Sequence, residues 1–344
     1  MSNPCARCGS THKTVMLTMR TYYASTHVYL CDRCLQVLRN NWALFIKMGE
    51  EDVNYGTVDE MFVDVVNDLL KRSARIGSRD GACREQLGYA ATLVDPSRCF
   101  LQDRAREASP HYAAAEFLWY MSGTDDISLI ERFAPQYRRF APDGRAYGAY
   151  GKRVGWQLDE AIRLLKDDVA SRQCVLSMWS PSDLLAAARK QLDIPCTLSL
   201  QLLLRDDRLH VICTMRSNDV WLGLPYDVFC FCTLQRLLAW ELGVELGYYH
   251  HRAGSVHLYD RNAERAGAVF GVEETLPSWQ SVHDTLAGLR QVAKWYSSRS
   301  ALIPPTDRTL SYSLVTACEA ADDASLPIDH VDQPLRAAIE RRRK

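Results

Sequence analysis

The stretch Asp193–Asp227, DIPCTLSLQLLLRDDRLHVICTMRSNDVWLGLPYD, decides how the chain folds. From Thr197 to Leu204 apolar and polar residues nearly alternate. Leu209, Val211, Cys213 and Met215 resume that period of two after the charged run Arg205-Asp206-Asp207-Arg208. The pattern predicts a β-hairpin turning on Asp206-Asp207. Carried along without interruption, the pairing sets Thr197 opposite Arg216 and Cys196 opposite Ser217 at the open end. A thiol then lies beside a guanidinium, whose charge favours the thiolate, the nucleophilic form.

Outward from the hairpin, Val228 to Leu242 is strongly apolar, with Phe231, Leu234, Leu238 and Leu242 near one helical face, and reads as a buried central helix. Upstream, the stretch 111–123, HYAAAEFLWYMSG, reads as an apolar helix holding a single acid, Glu116. A carboxylate among Ala, Phe, Leu and Trp costs several kcal/mol unless it is paired or working. Such surroundings raise its pKa towards neutrality, which suits general acid–base chemistry. Met61, Val65, Leu69 and Leu70 recur at helical spacing earlier still.

Pro195-Cys196, Arg216-Ser217-Asn218-Asp219-Val220, Gly223-Leu224-Pro225-Tyr226-Asp227 and His257-Leu258-Tyr259 resemble, in order and in gaps, the core signature of the thymidylate synthase family. The resemblance runs from about residue 75 to 300. It takes in the loop around Arg79, the helix segment Glu116-Phe-Leu-Trp119, the glycine-rich loop holding Tyr150, and Ser171-Arg172-Gln173. It implies an α/β (α+β) fold, a mixed sheet with flanking helices, in a homodimer. By the same resemblance Cys196 adds to C6 of a pyrimidine nucleotide, and Arg79, Arg216 and Ser217 hold its phosphate together with Arg172 from across the dimer. His257 and Tyr259 take the sugar hydroxyls. Glu116 and Tyr150 are catalytic, and Asp219, Gly223 and Trp119 serve methylenetetrahydrofolate.

The departures carry information. Thymidylate synthases place Asn where this chain has Asp227, whereas the deoxycytidylate hydroxymethylase branch places Asp. An amide donates to a uracil O4 and accepts from N3–H; cytosine offers an amine at C4 and a bare N3, which a carboxyl that accepts and supplies a proton complements. A polar group left unpaired against the wrong base rejects it strongly. Gln173 replaces an arginine of the phosphate clamp, and Thr197 a histidine. Residues 127–142 lack the tryptophan that the family places beside the reacting methylene, which favours capture by water. The expected reaction is therefore hydroxymethylation of dCMP or CMP. A cytidylate 5-methyltransferase, a thymidylate synthase and a non-catalytic nucleotide- or nucleic-acid-binding protein are its rivals.

Composition bounds the rest. The chain has 344 residues, 47% of them hydrophobic and 24% charged, enough for a large core. A formal net charge of −1 provides no overall field for nucleic acid. No apolar run has membrane-spanning length and the N-terminus lacks a signal-peptide stretch, so the expected compartment is the cytoplasm. Four of the twelve cysteines fall into two CxxC pairs, Cys5/Cys8 and Cys31/Cys34. That is zinc-ribbon spacing, with a Thr/Tyr/Val-rich stretch between the pairs that suits strands, and it predicts a structural Zn²⁺ in a segment 1–45 ahead of a catalytic domain 46–344.

Overall fold

In a computed structural model, residues 14–20, 25–31, 53–271, 284–298, 309–333 and 335–343 are described. The chain divides into two units, Met1–Val53 and Asn54–Lys344. In the first, β1 (Thr14–Arg20) and β2 (Ser25–Cys31) pair antiparallel with Thr14 opposite Cys31, so the stretch between the cysteine pairs does form strands. Cys5, Cys8 and Cys34 lie outside the described residues, and Cys31 enters only through its backbone at the end of β2.

The remaining strands are β3 (Val53–Tyr55), β4 (Ala74–Ser78), β5 (Gly81–Leu93), β6 (Val175–Ser177), β7 (Thr197–Arg205), β8 (Arg208–Met215), β9 (Asn218–Asp219) and β10 (Glu245–Tyr259). They form one mixed sheet in the order β3-β5-β10-β8-β7-β6, with β4 on β5 and β9 on β10. β10 pairs antiparallel with β5 and parallel with β8 and β9. The helices are α1 (Val58–Arg72), α2 (Pro110–Ser122), α3 (Ser128–Phe133), α4 (Tyr150–Val154), α5 (Gln157–Asp167), α6 (Pro181–Ala188), α7 (Leu224–Leu242), α8 (Asp260–Ala266), α9 (Leu286–Ser298), α10 (Leu310–Glu319) and α11 (Leu335–Arg342). This is the mixed α/β architecture expected. Among the described residues, no helix is long and apolar enough to cross a membrane.

The hairpin turns on Asp206 and Asp207, both left-handed at φ 51° and 54°, the paired geometry that matches strand twist. Pairing runs as expected from Arg205↔Arg208 to Ser199↔Thr214, and then slips: Thr197 faces Met215, not Arg216. Leu198 is the extra residue of a β-bulge, and its carbonyl accepts the N–H groups of Met178 and Trp179 at 2.9 and 3.1 Å. The slip corrects the register at the open end. Cys196 lies across from Arg216, whose N–H donates to its carbonyl at 2.8 Å, rather than across from Ser217.

α2 begins at a Ser109 cap and ends on Gly123 at φ 71°; α7 ends the same way on Gly243 at φ 70°. Val228, Phe229, Cys230, Phe231, Leu237 and Leu238 bury α7 against the sheet, as its apolar face requires. A Cβ on Gly151 would meet the Tyr120 carbonyl oxygen at 2.2 Å, so only glycine lets α4 approach α2 closely enough to deliver Tyr150. The C-terminal segment is seated through the apolar side of α11, with its basic end exposed. Arg341 bonds the Gln102 side chain, Arg342 donates to the Glu107 carbonyl at 3.0 Å, and Leu335 and Ile339 are buried.

Candidate active site

The bulge in β7 brings Cys196 to the end of the sheet where α7 starts. Of the eight cysteines whose side chains are described, seven are buried and Cys196 is partly exposed. Arg216 braces the chain before it, donating from Nε to the Pro195 carbonyl and from Nη2 to the Ile194 carbonyl, both at 2.9 Å. The same Nη2 lies 3.6 Å from the sulfur. On the other side the Tyr150 phenol oxygen accepts the Thr197 N–H at 3.0 Å, with its ring stacked on Phe231. The nucleophile is thus clamped from both sides. Its ionisation runs against expectation. Burial pushes the thiol up, Arg216 pulls it down, and Asp227, Asp193 and Asp219 push it up again, so that it stays above its ordinary value. The guanidinium is present and is outweighed.

Glu116 is buried within α2. Tyr112 donates its hydroxyl to Oε1 at 2.8 Å, and the Cys230 thiol lies 3.7 Å from Oε2. Burial nevertheless raises the carboxyl from 4.5 to about 7. Asp59 behaves alike: it accepts the N–H groups of Gln102 and Asp103, both at 2.9 Å, yet burial raises it from 3.8 to about 7. Both acids therefore hold protons in the fold that the unfolded chain has already released, and the sign follows. Where the native state binds more protons, stability falls as pH rises, here between roughly pH 4 and pH 7. Urea midpoints are expected to decline across that window, and Asp59→Asn to flatten the decline. An equal slope in that variant would show that Asp59 is not one of the proton-holding groups.

Asp227 sits in the first turn of α7, where it accepts a hydrogen bond from Asn218 Nδ2 to Oδ2 at 2.8 Å. Its carboxyl is raised well above the usual range, first by burial and then by Glu116, while Asn218 opposes the shift. That shift favours the neutral form of the carboxyl. A Cβ on Gly223 would lie 3.1 Å from both Asn218 Nδ2 and Asp227 Oδ2, so glycine is what leaves room for that bond. Asp219 holds the loop ahead of α7 through Oδ1, which accepts the N–H groups of Trp221 and Leu222 at 2.8 and 3.0 Å. Ser217 Oγ stands 3.5 Å from His257 Nδ1, and the His257 and Tyr259 rings meet edge to face at 5.1 Å.

Cys196, Arg216, Tyr150 and Thr197 thus form one cluster, and Asn218, Asp227 and Gly223 a second that shares their loop. Trp119 is buried on α2, with its indole N–H donating to the Asp126 carbonyl at 2.7 Å. Arg79 is exposed at the β4–β5 turn beside Asp80, and Arg172 is exposed near β7, where its carbonyl accepts from Gln201 at 3.0 Å. Among the described residues, no hydrogen bond or ion pair links either arginine to Cys196.

Three residues escaped the sequence reading. Tyr137, on the stretch without a tryptophan, packs edge-on against Trp119 at 5.5 Å, and its phenol is pushed up by burial and by Asp193, Glu116 and Cys196. It stands where the missing indole was sought. Tyr249 and His251, on β10, are fully buried, and His251 Nε2 lies 3.0 Å from Asn218 Oδ1. The alternation of buried positions along β10 is the signal that separates His251 from its exposed-side neighbour His250.

Comparison with known proteins agrees with this geometry. The family model described as thymidylate synthase matches residues 60–275. The chain is 34% identical over 166 residues to a deoxyuridylate hydroxymethyltransferase of Pseudomonas phage M6, covering 45% of this chain and 46% of that protein. It is 30% identical over 168 residues to the thymidylate synthase of Bacillus phage phi3T, covering 44% and 58%. With a deoxyuridylate hydroxymethyltransferase of Bacillus phage SP01 it shares 26% over 218 residues, covering 58% and 56%. The chain therefore spans about half the length of these relatives. The matched segment holds the nucleophile cluster, the Asp227 turn and the whole of β10, and the chain belongs to the thymidylate synthase family.

Proposed function

We propose that this chain transfers a one-carbon unit from methylenetetrahydrofolate to C5 of a cytidylate, dCMP or CMP, and releases the 5-hydroxymethyl product. Cys196 sulfur bonds to C6 as its proton leaves, and C5 becomes nucleophilic. C5 bonds to the folate methylene as one of its two carbon–nitrogen bonds breaks and that nitrogen takes a proton. Loss of the C5 proton and elimination of tetrahydrofolate leave an exocyclic methylene. Water adds to that carbon, the C6–S bond breaks, and the electron pair returns to the thiol. Glu116, poised at about 7, suits the proton movements, and Arg216 with Ser217 suits the phosphate.

The observation that carries the reading is Asp227 at this position: a carboxyl that burial and Glu116 push towards the neutral form, with Oδ2 accepting from Asn218 Nδ2. A neutral carboxyl can hand its proton to a bare ring nitrogen as electrons build up there; an amide cannot. Water capture is supported by Tyr137 in place of an indole. The reading test is tritium release from C5 of labelled dCMP, CMP and dUMP with methylenetetrahydrofolate, followed by mass analysis. Release from a cytidylate with a hydroxymethyl product supports it, and release from dUMP alone removes it. That second reading, deoxyuridylate hydroxymethylation, is favoured by the names of two relatives. A binding module without catalysis has no use for a braced, partly exposed thiol at Cys196.

The companion proposals are a homodimer in which Arg172 reaches the neighbouring phosphate, a cytoplasmic location, and a structural zinc held by Cys5, Cys8, Cys31 and Cys34. A monomer in sedimentation equilibrium would remove the first, and export of the chain from its host cell the second. Purified chain is expected to contain one zinc per protomer, lost in Cys31→Ser while the catalytic unit keeps its fold; zinc-free active protein would remove the third.

A further inference from the structure

We infer that Tyr249, His251 and Asn218 form a relay that fixes which oxygen of Asp227 carries the proton, and with it which pyrimidine edge the site accepts. The three lie in one hydrogen-bonded line. Tyr249 hydroxyl to His251 Nδ1 spans 3.0 Å, His251 Nε2 to Asn218 Oδ1 3.0 Å, and Asn218 Nδ2 to Asp227 Oδ2 2.8 Å. Tyr249 and His251 are 0% exposed and Asn218 2%, so no water corrects a mismatched donor.

The direction of the line follows from its members. Burial lowers His251 to about 4, leaving a neutral ring with one N–H and one bare nitrogen. Asn218 turns Nδ2 to Asp227 and Oδ1 to His251, so Nε2 carries the proton and donates to Oδ1, which leaves Nδ1 bare to accept from the phenol of Tyr249, a hydroxyl that also meets the Cys213 thiol. The amide is thereby held with its NH₂ towards Asp227, which makes Oδ2 an acceptor and leaves Oδ1 as the oxygen for the carboxyl proton. No hydrogen bond to Oδ1 is found among the described residues, so Oδ1 is the oxygen the relay leaves to a pyrimidine ring. The ring therefore encounters an O–H, complementary to the bare N3 of cytosine. Without a donor at His251 the Asn218 amide can turn over. Asp227 then donates to it through Oδ2 and presents a bare oxygen, which suits the N3–H of uracil instead.

The relay rests on the function proposed above only for the sign of the change. The experiment is kcat/KM for C5 tritium release from dCMP and dUMP in wild type, His251→Leu, His251→Gln and Tyr249→Phe. His251→Leu is expected to lower the cytosine-to-uracil ratio by roughly 10- to 100-fold. His251→Gln, which keeps one donor and one acceptor, is expected to retain most of it. Tyr249→Phe, which removes one hydroxyl from an otherwise unchanged ring, is expected to move the ratio the same way as His251→Leu and carries the test if the leucine variant does not fold. An unchanged ratio in Leu and Phe variants that lose both substrates equally overturns the relay, as does a Gln variant that behaves like Leu. A wild type confined to dUMP removes the cytidylate reading, while a ratio that moves on breaking the line still upholds the relay.

Discussion

Cys196→Ser is expected to reduce C5 tritium release by at least about four orders of magnitude for every pyrimidine nucleotide the wild type accepts. The argument is positional before it is chemical. The other seven cysteines whose side chains are described are buried, and Arg216 and Tyr150 brace the backbone on both sides of this one. A serine fits the same space and leaves those braces untouched, since both act on backbone groups at Pro195 and Thr197. Its hydroxyl is far harder to ionise than a thiol, and here even the thiol sits above its ordinary value because burial, and after it Asp227, Asp193 and Asp219, outweigh Arg216. Nucleotide binding by calorimetry should survive, because the phosphate contacts proposed for Arg216 and Ser217 are not altered. Turnover by the serine variant within tenfold of wild type would mean that C6 addition belongs to another group or does not occur. Loss of binding together with turnover would point to a folding defect, which the unchanged melting temperature expected of this variant separates.

What the sequence revealed and what it hid follow from the range of the forces involved. The hairpin was legible because a period of two and a two-residue turn are local facts, and the left-handed Asp206-Asp207 pair confirms the turn. The bulge at Leu198 was not legible, because it is held by Met178 and Trp179 from another segment and leaves no mark on the alternation. The thiol beside the guanidinium was legible for the same local reason. The net shift of that thiol was not: the carboxyls that oppose Arg216 come from a loop, a strand and a helix that meet only in the fold. Glu116 could be singled out because one acid among apolar helix residues must be paired or working wherever the helix lies. His251 could not, since a histidine next to another on a strand has no spacing signal, and its importance comes from Asn218, a long way back in the chain. The docked basic helix at the C-terminus illustrates the converse, with arginines that satisfy backbone carbonyls of a distant loop.

Asp227→Asn is expected to move substrate preference from cytosine to uracil, with the loss on dCMP appearing in kcat by roughly two to four orders of magnitude and far less in KM. The substitution is isosteric. Its amide oxygen can accept from Asn218 at 2.8 Å as Oδ2 does, and Gly223, with no Cβ, still leaves room for that contact, so the fold has no reason to change. What changes is the fate of one proton. When sulfur bonds to C6 of cytosine, electron density accumulates at N3, and a neutral carboxyl can transfer its proton there as it builds. An amide can donate a hydrogen bond to N3 but keeps its proton, so the ring binds and does not react. Uracil places the charge on O4, where a fixed N–H donor is sufficient and no transfer is required. The split between kcat and KM distinguishes this role from simple recognition, which would raise KM for dCMP and leave kcat alone. Measured base preference that does not move would remove Asp227 from both roles, whereas a KM effect alone would leave it as a reader of the base with the proton coming from elsewhere, Glu116 being the remaining buried acid at the ring with a value near 7.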